Sequence, residues 1–182
     1  MKNIEVKENI YYSLPEDFDP AFYGFACPIG LQTCGQLNEI MEQSTKKNVF
    51  IAIPYSDYEY EEQLVNLVKV AGLEPKLAKQ RIETKIILCK ICGEIRKSGY
   101  GIADISKNNA NVAYELGLMQ SLGRCCAILL EEGNKAQSDL QGLESVLYKK
   151  SDFRKKLGQW IIDNVKEADT KALTKYLSDN HN

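Results

Sequence analysis

One stretch decides the fold: residues 49–54, with the sequence VFIAIP, form a continuous apolar run that a proline ends. Runs of this kind are typical of strands that are buried on both faces of a parallel sheet. Residues 57–71 follow with apolar side chains at helical spacing, and Gly72 gives a helix stop signal. The stretch therefore predicts the first strand and the first helix of an α/β domain.

Short strands and helices continue to alternate along the rest of the chain. We predict further strands at 73–77, at 100–103 (ending at Asp104) and at 125–130, and helices at 83–97, 111–122, 151–166 and 168–178. This β-α-β-α-β-α-β-α order implies right-handed crossovers. The fold class is therefore α/β, with an open, doubly wound, mainly parallel sheet of the flavodoxin-like type and flanking helices.

The chain divides into two parts. Residues 1–46 contain a turn-rich stretch at 14–20 and a possible short helix at 36–43, and we expect them to form an N-terminal extension packed on the core. Residues 47–182 form the α/β domain with its C-terminal helices. A length of 182 residues suits one domain.

Composition and charge exclude several classes of protein. The chain has 23 Lys and Arg against 25 Asp and Glu, a net charge of −2, so it lacks the basic excess that nucleic-acid binding needs. It has no apolar run of about 20 residues to cross a membrane and no apolar signal segment at its start. We therefore expect a cytoplasmic protein with no nucleic-acid or membrane partner.

The side chains available for chemistry are limited. The only histidine is His181, in a polar terminal segment, so Ser-His-Asp and Cys-His mechanisms are disfavoured. We expect carboxylates, hydroxyls and amides to act without a metal or a cofactor. Four thiols have two interpretations, structural zinc or core packing; packing is favoured because the Cys-x-x-Cys pair lies within a predicted helix: Cys27, Cys34, Cys89 and Cys92.

Two loops are candidates for a ligand site. In flavodoxin-like order the first and third strands are neighbours, and ligands bind at their carboxyl ends. The candidate substrate-binding residues in these loops are Pro54, Tyr55, Ser56, Asp57, Ser106, Asn109 and Asn111. The asparagines also suit turns and helix caps. The tyrosines at 55, 58 and 60 suit either stacking on a base or covering the sheet.

Two carboxylates are candidates for catalysis. Asp104 ends the third strand, and Glu115 lies near the start of the next helix, where the helix dipole favours an ionised carboxylate. An ionised Glu115 is suited to attack a sugar's anomeric carbon or to stabilise an oxocarbenium ion. Asp104 would hold the sugar hydroxyls or assist the leaving base. The alternative is that both are structural, one near a helix start and one binding backbone amides.

Four segments together resemble a known family. They are residues 50–55 (FIAIPY), 102–106 (IADIS), 111–117 (NVAYELG) and 139–143 (DLQGL). The pattern resembles the nucleoside 2-deoxyribosyltransferase-like superfamily, especially its TIR-like, nucleotide-binding branch. The resemblance implies a flavodoxin-like core, cleavage of an N-glycosidic bond and Glu115 as the nucleophile. The first strand departs from the pattern, because Pro-Tyr replaces a glycine-containing loop, and residues 1–46 have no counterpart.

Three functions follow from the residues and the resemblance. The main hypothesis is an enzyme that cleaves the N-glycosidic bond of a nucleoside or nucleotide, by deoxyribosyl transfer or by hydrolysis. The second is a TIR-like NAD glycohydrolase that acts as a defence effector. The third is a nucleotide-sensing module without catalysis. All three imply a nucleoside, nucleotide or NAD-type ligand, and the resemblance implies a homodimer or higher homo-oligomer.

Overall fold

The fold is seen in a computed structural model, which describes residues 40, 42–55, 58–77 and 87–180. Its strands are β1 (Thr45–Ala52), β2 (Glu74–Leu77), β3 (Ser98–Asp104), β4 (Cys125–Glu131) and β5 (Val146–Tyr148). Its helices are α1 (Glu61–Val70), α2 (Ile87–Lys97), α3 (Ala110–Ser121), α4 (Phe153–Asn164) and α5 (Thr170–Asp179). None of these described helices is long and apolar enough to cross a membrane.

The five strands form one parallel sheet in the order β2-β1-β3-β4-β5. This is the flavodoxin-like order, so the predicted fold class and the predicted neighbours β1 and β3 are confirmed. The first helix is shorter than predicted, since α1 starts at Glu61. Residues 1–39, where most of the predicted N-terminal extension falls, and residues 83–86 of the second predicted helix lie outside the described residues.

The strand β5 was not predicted. It follows β4 through residues 132–145, which contain a 3₁₀ turn at Ser138–Leu140 in place of the helix that usually joins parallel strands. Leu140 and Leu143 of this connection pack on the same core as α3. The connection therefore covers the sheet without regular helical structure.

Two apolar cores lie on the two faces of the sheet. One core packs α1, α4 and α5 against side chains such as Ile51, Ile102 and Leu129. The other packs α2 and α3 against side chains such as Phe50 and Ala103. Neighbouring residues of β1, β3 and β4 thus pack in opposite cores, as strand geometry requires. This alternation decides where the site residues point.

The pairing of β1 with β3 is irregular at its amino end. Thr45 pairs with Ser98 and Val49 with Tyr100, so β1 carries extra residues between two paired positions. A Cβ added at Gly99 would lie 2.8 Å from both Cα and the carbonyl oxygen of Lys46. A glycine at this position lets the two backbones approach closely.

We predict that Gly99→Ala lowers the free energy of unfolding by about 1–3 kcal/mol, because the added methyl group displaces the β1 backbone. Gly117→Ala is the matched control, since nothing lies within 4 Å of a Cβ added there on α3. That change should stabilise the protein by about 0.5–1 kcal/mol. Urea unfolding measures both, and equal stability of the two variants would contradict the prediction.

Candidate functional site

Both predicted loops lie at the carboxyl edge of the sheet. Ala52 of β1 pairs with Ala103 of β3, so the two strands end at the same level. Pro54 is buried just beyond β1, and Tyr55 is 44% exposed. Ser56 and Asp57 lie outside the described residues. The edge therefore holds one loop that leaves β1 and one that leads from β3 into α3.

The loop between β3 and α3 is held mainly by its own backbone and side chains. Asn108 has a φ of 49°, which asparagine tolerates better than most residues. Asn109 is the N-cap of α3, and its Oδ1 accepts from the backbone N–H of Asn111 (2.9 Å) and of Val112 (3.3 Å). Of the two interpretations of Asn109, the structure supports the helix cap. Asn111 is exposed on the first turn.

Glu115 is a buried carboxyl group at this edge. It is the sixth residue of α3 and is only 3% exposed. Its Oε1 has no hydrogen-bond partner among the described residues. Burial raises the pKa of Glu115 from 4.5 to about 7. The effect of the helix dipole fades beyond the first helical turn, so the effect of burial on the pKa is the larger one. The pKa of Glu115 is therefore raised, whereas the sequence led us to expect that it would be lowered.

Tyr55 lies within electrostatic reach of Glu115. Burial raises the pKa of the Tyr55 hydroxyl, and the charge of Glu115 raises it further. The same helix carries Tyr114, which is 41% exposed. The structure therefore places Tyr55, a partly exposed aromatic residue of the loop after β1, within electrostatic reach of the buried Glu115 carboxyl group on α3.

Asp104 has a different environment. Its Oδ2 accepts hydrogen bonds from the hydroxyls of Tyr58 and Tyr148, each at 2.7 Å, and its Oδ1 accepts from the backbone N–H of Ser106 at 2.9 Å. The residue is 2% exposed. Two tyrosine hydroxyls and one backbone amide therefore surround the carboxylate, which fits the alternative that Asp104 is structural.

The two candidate carboxylates serve opposite faces of the sheet. Asp104 follows Ile102 by two residues and bonds to Tyr148 of the α1-α4-α5 core, whereas Glu115 lies on α3, whose core is on the other face. The expected arrangement, in which Asp104 and Glu115 act on one sugar, stays a prediction, and the two residues belong to elements that pack on opposite faces of the sheet. The physical reason is the alternation of strand side chains.

The remaining predicted side chains are engaged within the protein. Ser106 is 7% exposed, and its Oγ accepts from the backbone N–H of Glu131 at 2.8 Å. Tyr60 stacks on Phe153 with ring centroids 4.6 Å apart, and its hydroxyl donates to Glu131 at 3.1 Å. Tyr58 and Tyr60 thus cover the sheet, and Tyr55 is the exposed member of the three.

The thiols give no support for a metal centre. In the part of the chain that the structure describes, no group of three or more His, Cys, Asp or Glu side chains is arranged to hold a metal ion. Cys92 is buried and Cys89 half-buried on α2. Cys27 and Cys34 lie outside the described residues. The expectation that the protein works without a metal stays a prediction.

Sequence reasoning missed Tyr148. The residue is 1% exposed, and its hydroxyl donates to Asp104. The signal was the short run of residues 146–148, VLY, bounded by turn residues and by two lysines. Such a run suits a short strand, though it is too brief to show a period.

The fold is similar to that of a domain of known structure. The structure aligns with the crystal structure of the TIR domain of the Toll-related receptor TRR-2 from the lower metazoan Hydra magnipapillata. The alignment covers 67% of this chain and 99% of that domain, with a TM-score of 0.56 and 16% sequence identity. The chain has the fold of a TIR domain.

The other two comparisons found nothing. No protein-family model matches the chain, and no curated protein matches it in sequence. The TIR-domain likeness supports the TIR-like part of the sequence resemblance and gives no support to the deoxyribosyltransferase part. At 16% identity the likeness establishes the TIR fold and leaves function to the site itself.

We predict that Glu115→Gln makes stability less dependent on pH. Because folding raises the pKa of Glu115 from 4.5 to about 7, its stabilising contribution is complete below pH 4.5 and is lost as the pH rises through about 7. Relative to the parent, the variant should gain on the order of 3 kcal/mol between these limits. Urea unfolding from pH 5 to pH 8.5 measures most of this gain.

Glu132→Gln is the control for this experiment, because Glu132 is an exposed carboxylate near the same edge, paired with Lys149 at 3.5 Å. Removing it should leave the pH dependence of stability close to that of the parent. A Glu115→Gln curve that runs parallel to the parent curve would show that Glu115 titrates as it does in the unfolded chain.

Proposed function

We propose that this TIR-fold domain cleaves the N-glycosidic bond of an NAD-type dinucleotide and that Glu115 is its catalytic residue. The observation that carries the proposal is the buried Glu115 carboxyl group, whose Oε1 has no partner among the described residues and whose charge reaches the exposed Tyr55. The likeness to a TIR domain favours this over deoxyribosyl transfer, the main hypothesis from the sequence.

The electrostatics of Glu115 favour a cationic substrate. An ionised carboxylate that is buried without a partner is destabilised, and burial raises the pKa of Glu115 to about 7. A positive charge brought within about 4–6 Å would favour the ionised form. The oxidised nicotinamide ring carries such a charge on the nitrogen of its glycosidic bond, whereas the base of an ordinary deoxynucleoside is neutral.

The reaction needs few groups. The bond between the ribose C1′ and the nicotinamide nitrogen breaks, and its electron pair leaves with the ring, which becomes neutral. The positive charge then develops on the ribose as an oxocarbenium ion, which the Glu115 carboxylate stabilises or captures. Water supplies a hydroxyl group to C1′ and releases one proton. Nicotinamide and ADP-ribose are the products of this hydrolysis.

Tyr55 would contribute to binding. Tyr55 is 44% exposed at the carboxyl edge, and the charge of Glu115 contributes to raising the pKa of its hydroxyl. Stacking of an aromatic side chain on a base or on a nicotinamide ring is favourable. Tyr55 and Pro54 would then form the wall that faces Glu115. Of the other predicted ligand residues, Ser106 and Asn109 would hold the backbone of their loop in place. Asn111 would contact the ligand from the exposed first turn of α3.

A second candidate is a module that binds nucleotide without cleaving it. The observation in its favour is that the TIR domain to which the chain is similar belongs to a receptor. In that case Glu115 would bind a cationic or hydroxyl-rich ligand and no bond would break. Deoxyribosyl transfer keeps the sequence motif at residues 111–117 as its support.

Product analysis separates these functions. The purified full chain is incubated with NAD, with deoxynucleosides and with nucleotides, and the products are identified by mass spectrometry. We expect release of nicotinamide from NAD, and we expect Glu115→Gln to reduce this release about a hundredfold while retaining NAD binding. Glu132→Gln, which removes an exposed carboxylate near the same edge, should keep the parent rate.

Other outcomes would identify the alternatives. Free base released from a deoxynucleoside, with NAD left intact, would support deoxyribosyl transfer. Tight binding of a nucleotide with no product would support the sensing module. Parental turnover by Glu115→Gln would remove Glu115 from the reaction.

The pH dependence of the reaction gives an independent prediction. If the ionised form of Glu115 is the active form, kcat/KM should rise with pH and level off, with a midpoint near the pKa of about 7. Bound NAD brings a positive charge close to the carboxylate, so the midpoint of the kcat profile should lie at lower pH. Steady-state rates from pH 5 to pH 9 test both, and a kcat/KM that falls over this range would contradict the mechanism.

A further inference from the structure

Asp104 joins segments from three parts of the chain at the carboxyl edge. Tyr58 belongs to the connection between β1 and α1, Asp104 and Ser106 to the end of β3 and its following loop, and Tyr148 to β5. Asp104 accepts hydrogen bonds from Tyr58, Tyr148 and the backbone of Ser106. We call this group of four residues, Tyr58, Asp104, Ser106 and Tyr148, the Asp104 clasp.

The clasp is built from strong interactions. Hydrogen bonds to an ionised carboxylate are stronger than bonds between neutral groups, and both tyrosine bonds are 2.7 Å long. Burial, followed by the charge of Asp104, raises the pKa of Tyr58 and that of Tyr148, so both hydroxyls stay protonated as donors. Asp104 therefore fixes two aromatic side chains from distant parts of the chain.

The clasp also contacts β4. The Oγ of Ser106 accepts from the backbone N–H of Glu131 at 2.8 Å and lies 3.5 Å from the Tyr148 hydroxyl. The carboxylate of Glu131 in turn accepts from Tyr60, which stands two residues after Tyr58. Four neighbouring strands thus have their carboxyl ends joined through one hydrogen-bonded group.

We propose that Asp104 is a positioning residue, which through the clasp holds the loop after β1 against the loop after β3 so that Tyr55 and Glu115 face one ligand. The clasp lies on the opposite face of the sheet from Glu115, yet each loop that contributes to the site is attached to it. Tyr58 is three residues from Tyr55, and Ser106 precedes the Asn109 cap of α3. The expected effect of the clasp on KM rests on the proposed function.

Hydrogen exchange tests the clasp without reference to activity. Tyr148→Phe removes one hydroxyl from Asp104 on β5 and leaves both loops of the site unaltered in sequence. We expect amide exchange to become several-fold faster in peptides that contain Tyr55 and Tyr58 and in those that contain residues 105–112. Tyr58→Phe should likewise make amide exchange several-fold faster in peptides that contain residues 105–112, which are distant in sequence from the substitution.

Tyr100→Phe is the matched control, because Tyr100 also donates its hydroxyl to a carboxylate, that of Glu167, near the start of β3. It should leave exchange in both loops unchanged. If Tyr148→Phe and Tyr58→Phe leave exchange in the other segment at the parental rate, the clasp does not couple the loops and the inference is overturned. The same holds if Tyr100→Phe accelerates both loops equally.

Kinetics then test the positioning role. Tyr148→Phe should raise KM for NAD several-fold and leave the pH midpoint of kcat in place, because the packing of α3 that buries Glu115 lies on the other face of the sheet. Asp104→Asn retains one acceptor oxygen and should lie between the parent and Asp104→Ala in KM. If the parent releases no nicotinamide, the proposed function fails and the exchange result alone decides the clasp. Faster exchange with an unchanged KM would overturn the positioning role.

Discussion

The parallel pairing of β1 with β3 is the constraint on which the candidate site depends. Its register makes Ala52 and Ala103 neighbours, so two chain segments that are distant in sequence leave the sheet at one level. The loop after β1 then lies beside the loop that enters α3. Without this pairing nothing in the fold would hold Tyr55 near Glu115. The close backbone approach at Gly99 shows how tightly the two strands are joined at their other end.

The sequence was sufficient to predict the class, the sheet order around the site and the elements from β1 to β4. These elements have strong apolar runs or helical spacing, and they are separated by turn residues. It was insufficient for β5, because three residues carry no period and because no helix precedes them. The N-terminal extension and the interpretation of Cys27 and Cys34 stay predictions, because these residues lie outside the described part of the chain.

For the site, the sequence predicted an edge of the sheet, but it did not show that Asp104 and Glu115 belong to elements on opposite faces. A strand residue points to one face or the other by parity, yet a sequence does not say which face each helix covers. Asp104 therefore lies with the tyrosines of the core that contains α1 and α4, and Glu115 lies on α3, which packs on the opposite face of the sheet. The ionisation of Glu115 was misjudged for a similar reason. Its distance from the helix start was known, but its burial depends on tertiary packing.

Asp104 and Glu115 show two ways in which a fold can contain a carboxyl group. Asp104 is buried with three donors, so its charge is compensated and it contributes to the structure. Glu115 is buried without such compensation, because its Oε1 has no hydrogen-bond partner among the described residues. The contrast explains why the carboxyl group with fewer internal bonds is the stronger candidate for a ligand contact.

The burial of Glu115 also has an evolutionary consequence. Proteins commonly give up stability where activity requires an unfavourable group, and substitutions that relieve it are easily found. Under the proposed function, replacing this one acid with a neutral residue in a lineage no longer selected for catalysis would raise the stability of the fold and end the reaction. Descendants that bind the ligand without reacting would then arise by a single substitution. Under the proposed function, the change from an enzyme to a binding protein would need no change of fold.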